Sequence, residues 1–467
     1  MAVMAAIGII AYNNLAVSAA LPEIGSDLGD VALLPWTISI ELLTSGVAVL
    51  VAGPLVDGIG ARPIFRFSVL GFMATSLVCA VAPTMATLVA ARALQGVTAG
   101  LLLTVTLAAI GMSYPVDSRA RVFAANSTVW GVTSVAGPSI AAAMVALVNW
   151  RGVFWFNIPI ALLAAVLAWN RLPEAPTETQ ATHFDRRGIA LITVLSAAGL
   201  AVVEGSLIAF ISGLMVSAAC LMAYRFHLVR QAHPVVRREH VWSARYGPIH
   251  LTSLLAVGGS LGFHAFVPVY LKGARGASTT EAAFSVAYLS VGWTLGAIIS
   301  SRLQQRIGRE KTVLVGALTM CPGLLAAWVA VVADLPLRGL YATLLVSGLG
   351  IGAISTTGIN ILQERTPRSE MGRVNGAHQF MRTIGITYAV GIAGSLILTT
   401  VDRRTGNVEA VRDLLSGDAS EVNDTVADAL ALGFQFALGF AVLAGLACVP
   451  SALALVRGSH QQVTSAS

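Results

Sequence analysis

Apolar stretches long enough to cross a membrane recur along the whole 467-residue chain. A helix needs about 20 consecutive apolar residues to span a hydrocarbon core about 30 Å thick. We therefore expect an all-α polytopic membrane protein with fourteen transmembrane helices. The apolar runs lie near 3–21, 33–55, 65–83, 86–112, 121–147, 152–170, 188–203, 206–224, 247–270, 282–301, 312–332, 338–361, 374–399 and 430–456.

Two polar segments, Glu174–Arg187 and Arg225–Tyr246, flank a pair of apolar runs that are joined by a turn at 204–206. If both runs of this pair cross the membrane, the basic cluster after the tenth run stays on the same side as the other basic loops. Twelve crossings, with neither central run inserted, is the alternative. The expected organisation is a six-helix half at 1–172, a linker and two-helix insert at 173–246, and a second six-helix half at 247–467.

The two halves look related. When the second half is aligned with the first at a single offset, Gly308 aligns with Gly60 and Gly385 aligns with Gly137. Two anchors at the same offset indicate a duplicated six-helix unit, a common plan for secondary transporters. The long acidic segment at 400–429 is expected to form an outer loop with a short amphipathic helix.

The 29 Lys and Arg lie mostly at alternate ends of the apolar runs. This asymmetry predicts that both termini are cytoplasmic and, in a bacterial cell, that the protein lies in the plasma (inner) membrane. Only 11% of residues are charged and 56% are hydrophobic, which excludes a sizeable soluble domain. The net charge of +6 is spread over short loops beside lipid headgroups, and no basic stretch has the interleaved aromatic residues of a nucleic-acid site.

The turn after the second run has the pattern G-x-L-x-D-x-x-G-x-R, which contains Gly53, Asp57, Gly60 and Arg62. The glycines allow helices to cross closely. Asp57 is suited to accept from the N-terminus of a neighbouring helix and to pair with an arginine, as a charge lock that opens on rearrangement. Gly137-Pro138 in the fifth run marks a helix weak point without one backbone donor, so we assign all these residues to gating.

Two opposite charges lie deep in the apolar runs. Glu41 is the only acid well inside any run, and Arg92 of the fourth run is expected at a similar depth. Intramembrane charges are costly and usually functional, and these two can pair. Two interpretations stay open for Glu41: a proton-exchange or cation-sensing site, or a protonated structural acid. Arg92 either takes part in coupling or clamps backbone carbonyls.

Other polar side chains could line a cavity or could form hydrogen bonds between helices. They are Asn13, Asn14, Gln95, His264, Asn360, Asn375, Gln379 and Arg382. The four cysteines lie inside apolar runs without ligand-like spacing, which indicates packing rather than a metal site. We expect no cofactor and no enzymatic activity.

Three further sequence motifs are similar to motifs of a known protein family. They are L-x-x-x-R-x-x-Q-G from Leu88, W-R-x-x-F-x-x-N-x-P from Trp150, and A-L-P from Ala20. With the loop motif at Gly53, they resemble the major facilitator superfamily, in particular its fourteen-helix drug:proton antiporter branch. The resemblance implies two six-helix halves around a central cavity that work by alternating access. The chain departs from the family at several positions, among which Asn13 replaces an aspartate and Glu41 stands where tyrosine is more common.

The expected function is secondary transport, with export of a hydrophobic or amphipathic small molecule coupled to inward proton movement. A facilitator or importer of a lipid-like or anionic metabolite, and a transport-inactive membrane sensor, are the alternatives. The expected partners are a small-molecule substrate, protons and membrane lipids, but no nucleic acid. We expect the protein to act as a monomer. The apolar N-terminus, with its first basic residue at Arg62, is expected to be a retained helix and fits a start that lies upstream.

Overall fold

The computed structural model describes residues 2–30, 33–34, 36–173, 185–203, 207–231, 234–406 and 423–464. Within these ranges, the regular structure is helical. The long helices are α1 (Ala2–Leu28), α2 (Trp36–Ile59), α3 (Ala61–Ala80), α4 (Met85–Ser113), α5 (Val116–Leu147), α6 (Arg151–Ala168), α7 (Arg186–Val203), α8 (Leu207–Arg230), α12 (Thr279–Ile307), α13 (Arg309–Val332), α14 (Leu337–Glu364), α15 (Met371–Thr405) and α16 (Asp424–Thr464). The shorter helices are α9 (Arg238–Trp242), α10 (Gly247–Ser253) and α11 (Val267–Arg275).

Eleven of the described helical segments are long and apolar enough to cross a membrane. The number becomes twelve if α5, which is bent by 46° between Val116–Ser134 and Ser139–Leu147, is one span. The all-helical polytopic architecture is therefore confirmed, whereas the count of fourteen crossings is not and stays a prediction. Parts of three predicted segments lie outside the described residues. They are residues 204–206 of the turn, 174–184 of the linker and 407–422 of the acidic loop.

The ninth apolar run is not the continuous helix that the sequence predicts. After α10, the backbone forms a π-helical turn at Leu254–Gly259 and a 3₁₀ turn at Phe263–Phe266 before α11 begins. A Cβ added to Gly258 would lie 2.7 Å from Cα of Gly385. The glycines thus let α15 approach this segment closely, at a place where the helix winding changes.

The chain divides into two compact units. The first, unit 1, contains residues 1–196, 222–242 and 362–380, and unit 2 contains 197–221, 243–361 and 381–467. Unit 1 therefore includes the last residues of α14 and the first turns of α15. The predicted boundaries after 172 and 246 stay predictions.

Helices α2 and α4 of unit 1 pack with almost no space between their backbones. A Cβ at Gly96 of α4 would collide with the Glu41 carbonyl oxygen and with Oγ1 of Thr44, and a Cβ at Gly100 would collide with the Ser45 carbonyl oxygen. Small residues at a helix crossing permit this approach. The backbone around Glu41 is consequently held directly against α4, four residues after Arg92.

In unit 2, α11 is joined to neighbouring elements by an aromatic and an ionic contact. The rings of Tyr270 and Phe434 stack with their centroids 4.4 Å apart. Arg275 at the end of α11 lies 3.0 Å from the Asp334 carboxylate in the turn after α13. Gly348 of α14 also packs closely against the backbone of Leu289 and Trp293 in α12.

Candidate functional site

Arg92 is the centre of a buried polar cluster in unit 1. Its Nε donates to the Thr37 carbonyl at 2.8 Å, and its Nη1 donates to Oδ1 of Asn13 at 3.1 Å and to Oε1 of Gln95. The guanidinium also lies over the Phe154 ring, 5.9 Å from its centroid. Three of its acceptors are thus neutral oxygens.

Among the residues that the structure describes, Arg92 has one anionic partner, Glu41. Nη2 of Arg92 and Oε2 of Glu41 are 3.6 Å apart, and the two residues are 1% and 2% exposed. A buried ion pair is stable only when further hydrogen bonds satisfy its charged groups. The neutral oxygens around Arg92 meet this requirement for the cation, and the pair joins α2 to α4.

Two amide side chains extend the Arg92 cluster to other helices. Gln95 donates from Nε2 to Oγ of Ser76 at 2.8 Å and accepts from Sγ of Cys79 at 3.6 Å. Asn157 of α6 donates from Nδ2 to Oδ1 of Asn13 at 3.3 Å. The cluster therefore connects α1, α2, α3, α4 and α6.

The orientation of the two asparagines is fixed by their partners. Oδ1 of Asn13 must face Arg92, which has only donors, so the Asn13 amide cannot be flipped. This leaves Nδ2 of Asn13 and Oδ1 of Asn157 buried without a hydrogen-bond partner among the described residues. Buried polar atoms without protein partners are rare, and each is explained by strain, by a functional role or by a bound water.

A second polar cluster of unit 1, the Asp57 lock, joins the end of α2 to the start of α15. Oδ1 of Asp57 accepts from the backbone N–H of Gly372 at 2.6 Å, and Oδ2 accepts from the backbone N–H of Arg373 at 2.9 Å. The Arg373 guanidinium lies 3.8 Å from the same carboxylate. A carboxylate at a helix N-terminus satisfies free N–H groups and interacts favourably with the helix dipole.

The glycines of the loop motif allow the Asp57 lock to form. A Cβ at Gly53 would lie 2.8 Å from Cα of Arg373, so any other residue would push α15 away. Gly60 has a φ of 99°, which turns the chain from α2 into α3. Arg62 lies elsewhere: its Nε and Nη2 donate to the carbonyls of Leu172 and Asn170, at the end of α6.

Asn375, which the sequence suggests as a cavity residue, lies beside the Asp57 lock. Its Oδ1 accepts from Nε2 of Gln363 at 2.9 Å, and its Nδ2 donates to the Met371 carbonyl at 2.7 Å. Nε2 of Gln363 also donates to the Leu107 carbonyl at 2.9 Å. These contacts tie the ends of α14 and α15 to α4.

Three more of the predicted residues belong to unit 2. Asn360 donates to Oε1 of Gln304 at 2.8 Å, and the ring of His264 lies 4.1 Å from that of Phe263 in the 3₁₀ turn. Arg382 lies in α15, two residues beyond the part of this helix that belongs to unit 1. The structure therefore brings Glu41, Arg92, Asn13 and Gln95 together, whereas Asn375, Asn360, His264 and Arg382 lie elsewhere.

Several residues of these clusters were not singled out from the sequence. Thr37 contributes a backbone carbonyl, which no side-chain pattern reveals. Gln363 is an ordinary amide at the end of an apolar run. Asn157 had a usable signal, because it is the asparagine of the W-R-x-x-F-x-x-N-x-P segment.

Solved transporters share this fold. A proton:xylose symporter of the major facilitator superfamily covers 95% of the chain and is covered over 93% of its own length, with a TM-score of 0.62 and 14% sequence identity. A bacterial homologue of the iron transporter ferroportin, in the outward-facing state, has a TM-score of 0.61 at 14% identity, with 98% of each chain covered. At this identity, the similarity shows the fold alone.

Relatives with closer sequences have names that describe drug transport. A multidrug transporter of Bacillus subtilis is 27% identical over 85% of this chain and 74% of its own. A multidrug efflux pump of Staphylococcus aureus is 26% identical over 83% and 86%, and a methylenomycin A resistance protein of Streptomyces coelicolor is 27% identical over 79% and 78%. The sequence model of the Major Facilitator Superfamily matches residues 2–390. The chain is a transporter that belongs to the major facilitator superfamily.

Proposed function

We propose that this transporter exports hydrophobic or amphipathic small molecules in exchange for protons, and that Glu41 is the group that takes up and releases the proton. The names of the three relatives support efflux of small molecules. The observation that carries the assignment to Glu41 is its ion pair with Arg92 inside a membrane-spanning helix bundle.

The chemistry of the pair allows only one partner to change its charge. Arginine keeps its proton in proteins, so Arg92 is a fixed cation. Burial disfavours the ionised carboxylate of Glu41, whereas the neighbouring guanidinium favours it. Because these effects oppose each other, a small rearrangement of α2 against α4 changes which form of Glu41 is preferred. Such a coupling between charge and helix position is what a proton-driven exchanger requires.

The neighbouring Asn13 has no such capacity. Its side chain contacts Arg92 directly, but an amide has no exchangeable charge in this pH range. The chain therefore holds its single deep acid on α2 rather than on α1. In this proposal, the coupling role has moved to Glu41, while Asn13 and Gln95 hold Arg92 in place.

Alternating access requires that one end of the bundle opens while the other closes. We propose that the Asp57 lock is the cytoplasmic gate and that Gly137 and Pro138 provide flexibility in α5. Both oxygens of Asp57 are used by the first turn of α15, so the gate opens only when these bonds break. The cytoplasmic termini, the inner membrane, fourteen crossings and a monomeric state complete the proposal.

Everted membrane vesicles that contain the wild type or Glu41→Gln test the assignment. A panel of lipophilic cations and anionic amphiphiles is added to energised vesicles, and proton release from the lumen is followed with a fluorescent dye. Glu23→Gln is the matched control, because it removes an exposed acid from α1 with the same chemical change. Substrate-triggered proton release in the wild type and the control, but not in Glu41→Gln, is the expected result.

Other outcomes would overturn the proposal. Normal proton release in Glu41→Gln would place coupling at another residue. Counterflow of a labelled compound in the wild type without any proton response would make the protein a facilitator. The anionic-substrate alternative is favoured by the two arginines, Arg92 and Arg382, that stand in apolar runs against the one deep acid Glu41, and preferential counterflow of anions would support it.

A further inference from the structure

A buried histidine in the connection between α8 and α10 contacts the turn that precedes α15. His240 lies in the short helix α9, is 2% exposed, and places Nε2 3.3 Å from Oε2 of Glu370. Glu370 is the last residue of the 3₁₀ turn Arg368–Glu370, and α15 begins at the next residue. Both residues belong to unit 1.

An arginine and a second glutamate complete this group. Nη1 of Arg237 lies 3.2 Å from Oε1 of Glu239 and 3.9 Å from Oε1 of Glu370. The carboxylates of Glu239 and Glu370 and the imidazole of His240 lie within 4.8 Å of one another, as metal ligands would. Because the Arg237 guanidinium contacts both carboxylates, the chain itself supplies the cation at this place.

The position of Glu370 gives the contact a consequence for the gate. Glu370 stands two residues before Gly372, whose N–H group donates to Asp57, and three before Arg373, which supplies the second donor. Any movement of the 3₁₀ turn therefore shifts the donors of the Asp57 lock. The contact between the Glu370 carboxylate and His240 of α9 restrains this turn. Ionic contacts hold one of two conformations in the same way in other proteins that switch between states.

We infer that His240 and Glu370 are positioning residues that hold the first turn of α15 against Asp57, so that the linker helix α9 controls how readily the cytoplasmic gate opens. This inference rests on the proposed gating role of Asp57. The charged groups that face the pair are Arg237 and Glu239 from α9 and its preceding residue, and Arg373 and Asp57 from the lock itself. In this arrangement, the connection after the two-helix insert becomes part of the transport machinery.

The pair is expected to respond to pH. Burial lowers the pKa of His240, although the carboxylates of Glu370 and Glu239 act in the opposite direction. Burial of the ring in the closed state therefore disfavours the protonated imidazole by more than the two carboxylates favour it. The closed contact is fully favoured above the ordinary histidine pKa of about 6.5 and weakens as pH falls through that value. We expect acidification of the cytoplasmic side to speed gate opening.

Thiol labelling measures gate opening without transport. Val56 is 1% exposed and packs against Gly372 in the lock, so Val56→Cys in a background without the native cysteines reacts with a polar maleimide only when the gate opens. Rates are normalised at each pH to an exposed reference, Asp428→Cys. Glu370→Ala and His240→Ala are each combined with Val56→Cys. The control is Asp402→Asn, which removes an exposed acid from the other end of α15.

We expect Glu370→Ala and His240→Ala to raise the labelling rate about two- to five-fold, a factor typical of lost ion pairs that are partly exposed, and the control to leave it unchanged. The parent should label faster at about pH 5.5 than at about pH 7.5, on either side of the histidine pKa, and His240→Gln should abolish that difference. The pH difference separates positioning from a merely structural role, because glutamine preserves a hydrogen bond but does not titrate.

Asp57→Asn distinguishes the two proposals. If Asp57→Asn raises the labelling rate but the Glu370 and His240 variants do not, the inference about α9 is wrong, whereas the proposed gating role of Asp57 is supported. If Asp57→Asn also leaves labelling unchanged, the gate of the proposed function is wrong. A pH difference that survives in His240→Gln would likewise overturn the role of the histidine.

Discussion

The Arg92 guanidinium and the Glu41 carboxylate lie 3.6 Å apart, and both side chains are almost completely buried. Breaking a buried pair by removing one partner leaves an uncompensated charge, whereas removing both costs much less. This asymmetry makes the pair accessible to experiment, because its two members can be changed separately and together.

Arg92→Met should destabilise the protein by about 3–5 kcal/mol, because it leaves Glu41 without its cation and three oxygens without their donor. Adding Glu41→Gln to Arg92→Met should recover part of this loss. Thermal unfolding in detergent measures both variants. Strictly additive losses would mean that the two residues do not interact.

Gly96→Ala should reduce stability by about 1–3 kcal/mol and impair transport, because its Cβ collides with the backbone of Glu41 and separates α2 from α4. Gly339→Ala is the matched control, since no atom lies within 4 Å of a Cβ at that position. Unfolding temperature and substrate counterflow are the measurements. Equal behaviour of the two variants would refute the close crossing at Glu41.

Adding Asn13→Asp to the Glu41→Gln variant should restore proton-coupled transport. Oδ1 of Asn13 is 3.1 Å from Nη1 of Arg92, so a carboxylate there pairs with the same cation. Substrate-triggered proton release in everted vesicles compares the single and double variants. If the double variant remains uncoupled, an acid beside Arg92 is insufficient and the position on α2 itself matters.

Asp185→Ala should cost about 3 kcal/mol or more, because this buried carboxylate has three partners. It accepts from the N–H groups of Gly188 and Val235, at 2.8 and 3.1 Å, and lies 2.8 Å from Nε2 of His227. Protease sensitivity of the connection between α8 and α10 measures the local effect. The exposed Asp424→Ala, which also removes an acid near a helix start, should change little.

The sequence was most informative where a charge had to be buried. A lone acid and a lone arginine in apolar runs have few ways to be stabilised, so the approach of Glu41 to Arg92 followed from their depths. The same reasoning placed Asp57 at a helix N-terminus, because a carboxylate beside glycine-rich crossings has N–H groups as natural partners. The length and number of the apolar runs sufficed for the helical architecture.

Neutral polar residues were harder to place. Asn375 and Asn13 look alike in the sequence, yet one contacts Gln363 at the gate and the other contacts Arg92. An amide forms adequate hydrogen bonds in many surroundings, so its residue type does not select one. The break at Leu254–Phe266 was also missed, because glycines in an apolar run are compatible with a regular helix and with an irregular one.

The position of the Arg92 cluster in the chain also bears on biogenesis. An arginine raises the cost of inserting a transmembrane helix, by at most about 2.5–3.5 kcal/mol when it lies at the helix centre. Synthesis proceeds from the N-terminus, so α1 and α2 enter the bilayer before α4. Asn13, Thr37 and Glu41 are then already available when Arg92 emerges from the ribosome. The pair that we propose for transport would thus also assist the insertion of α4, and Glu41 variants should show slower membrane integration before any transport cycle begins.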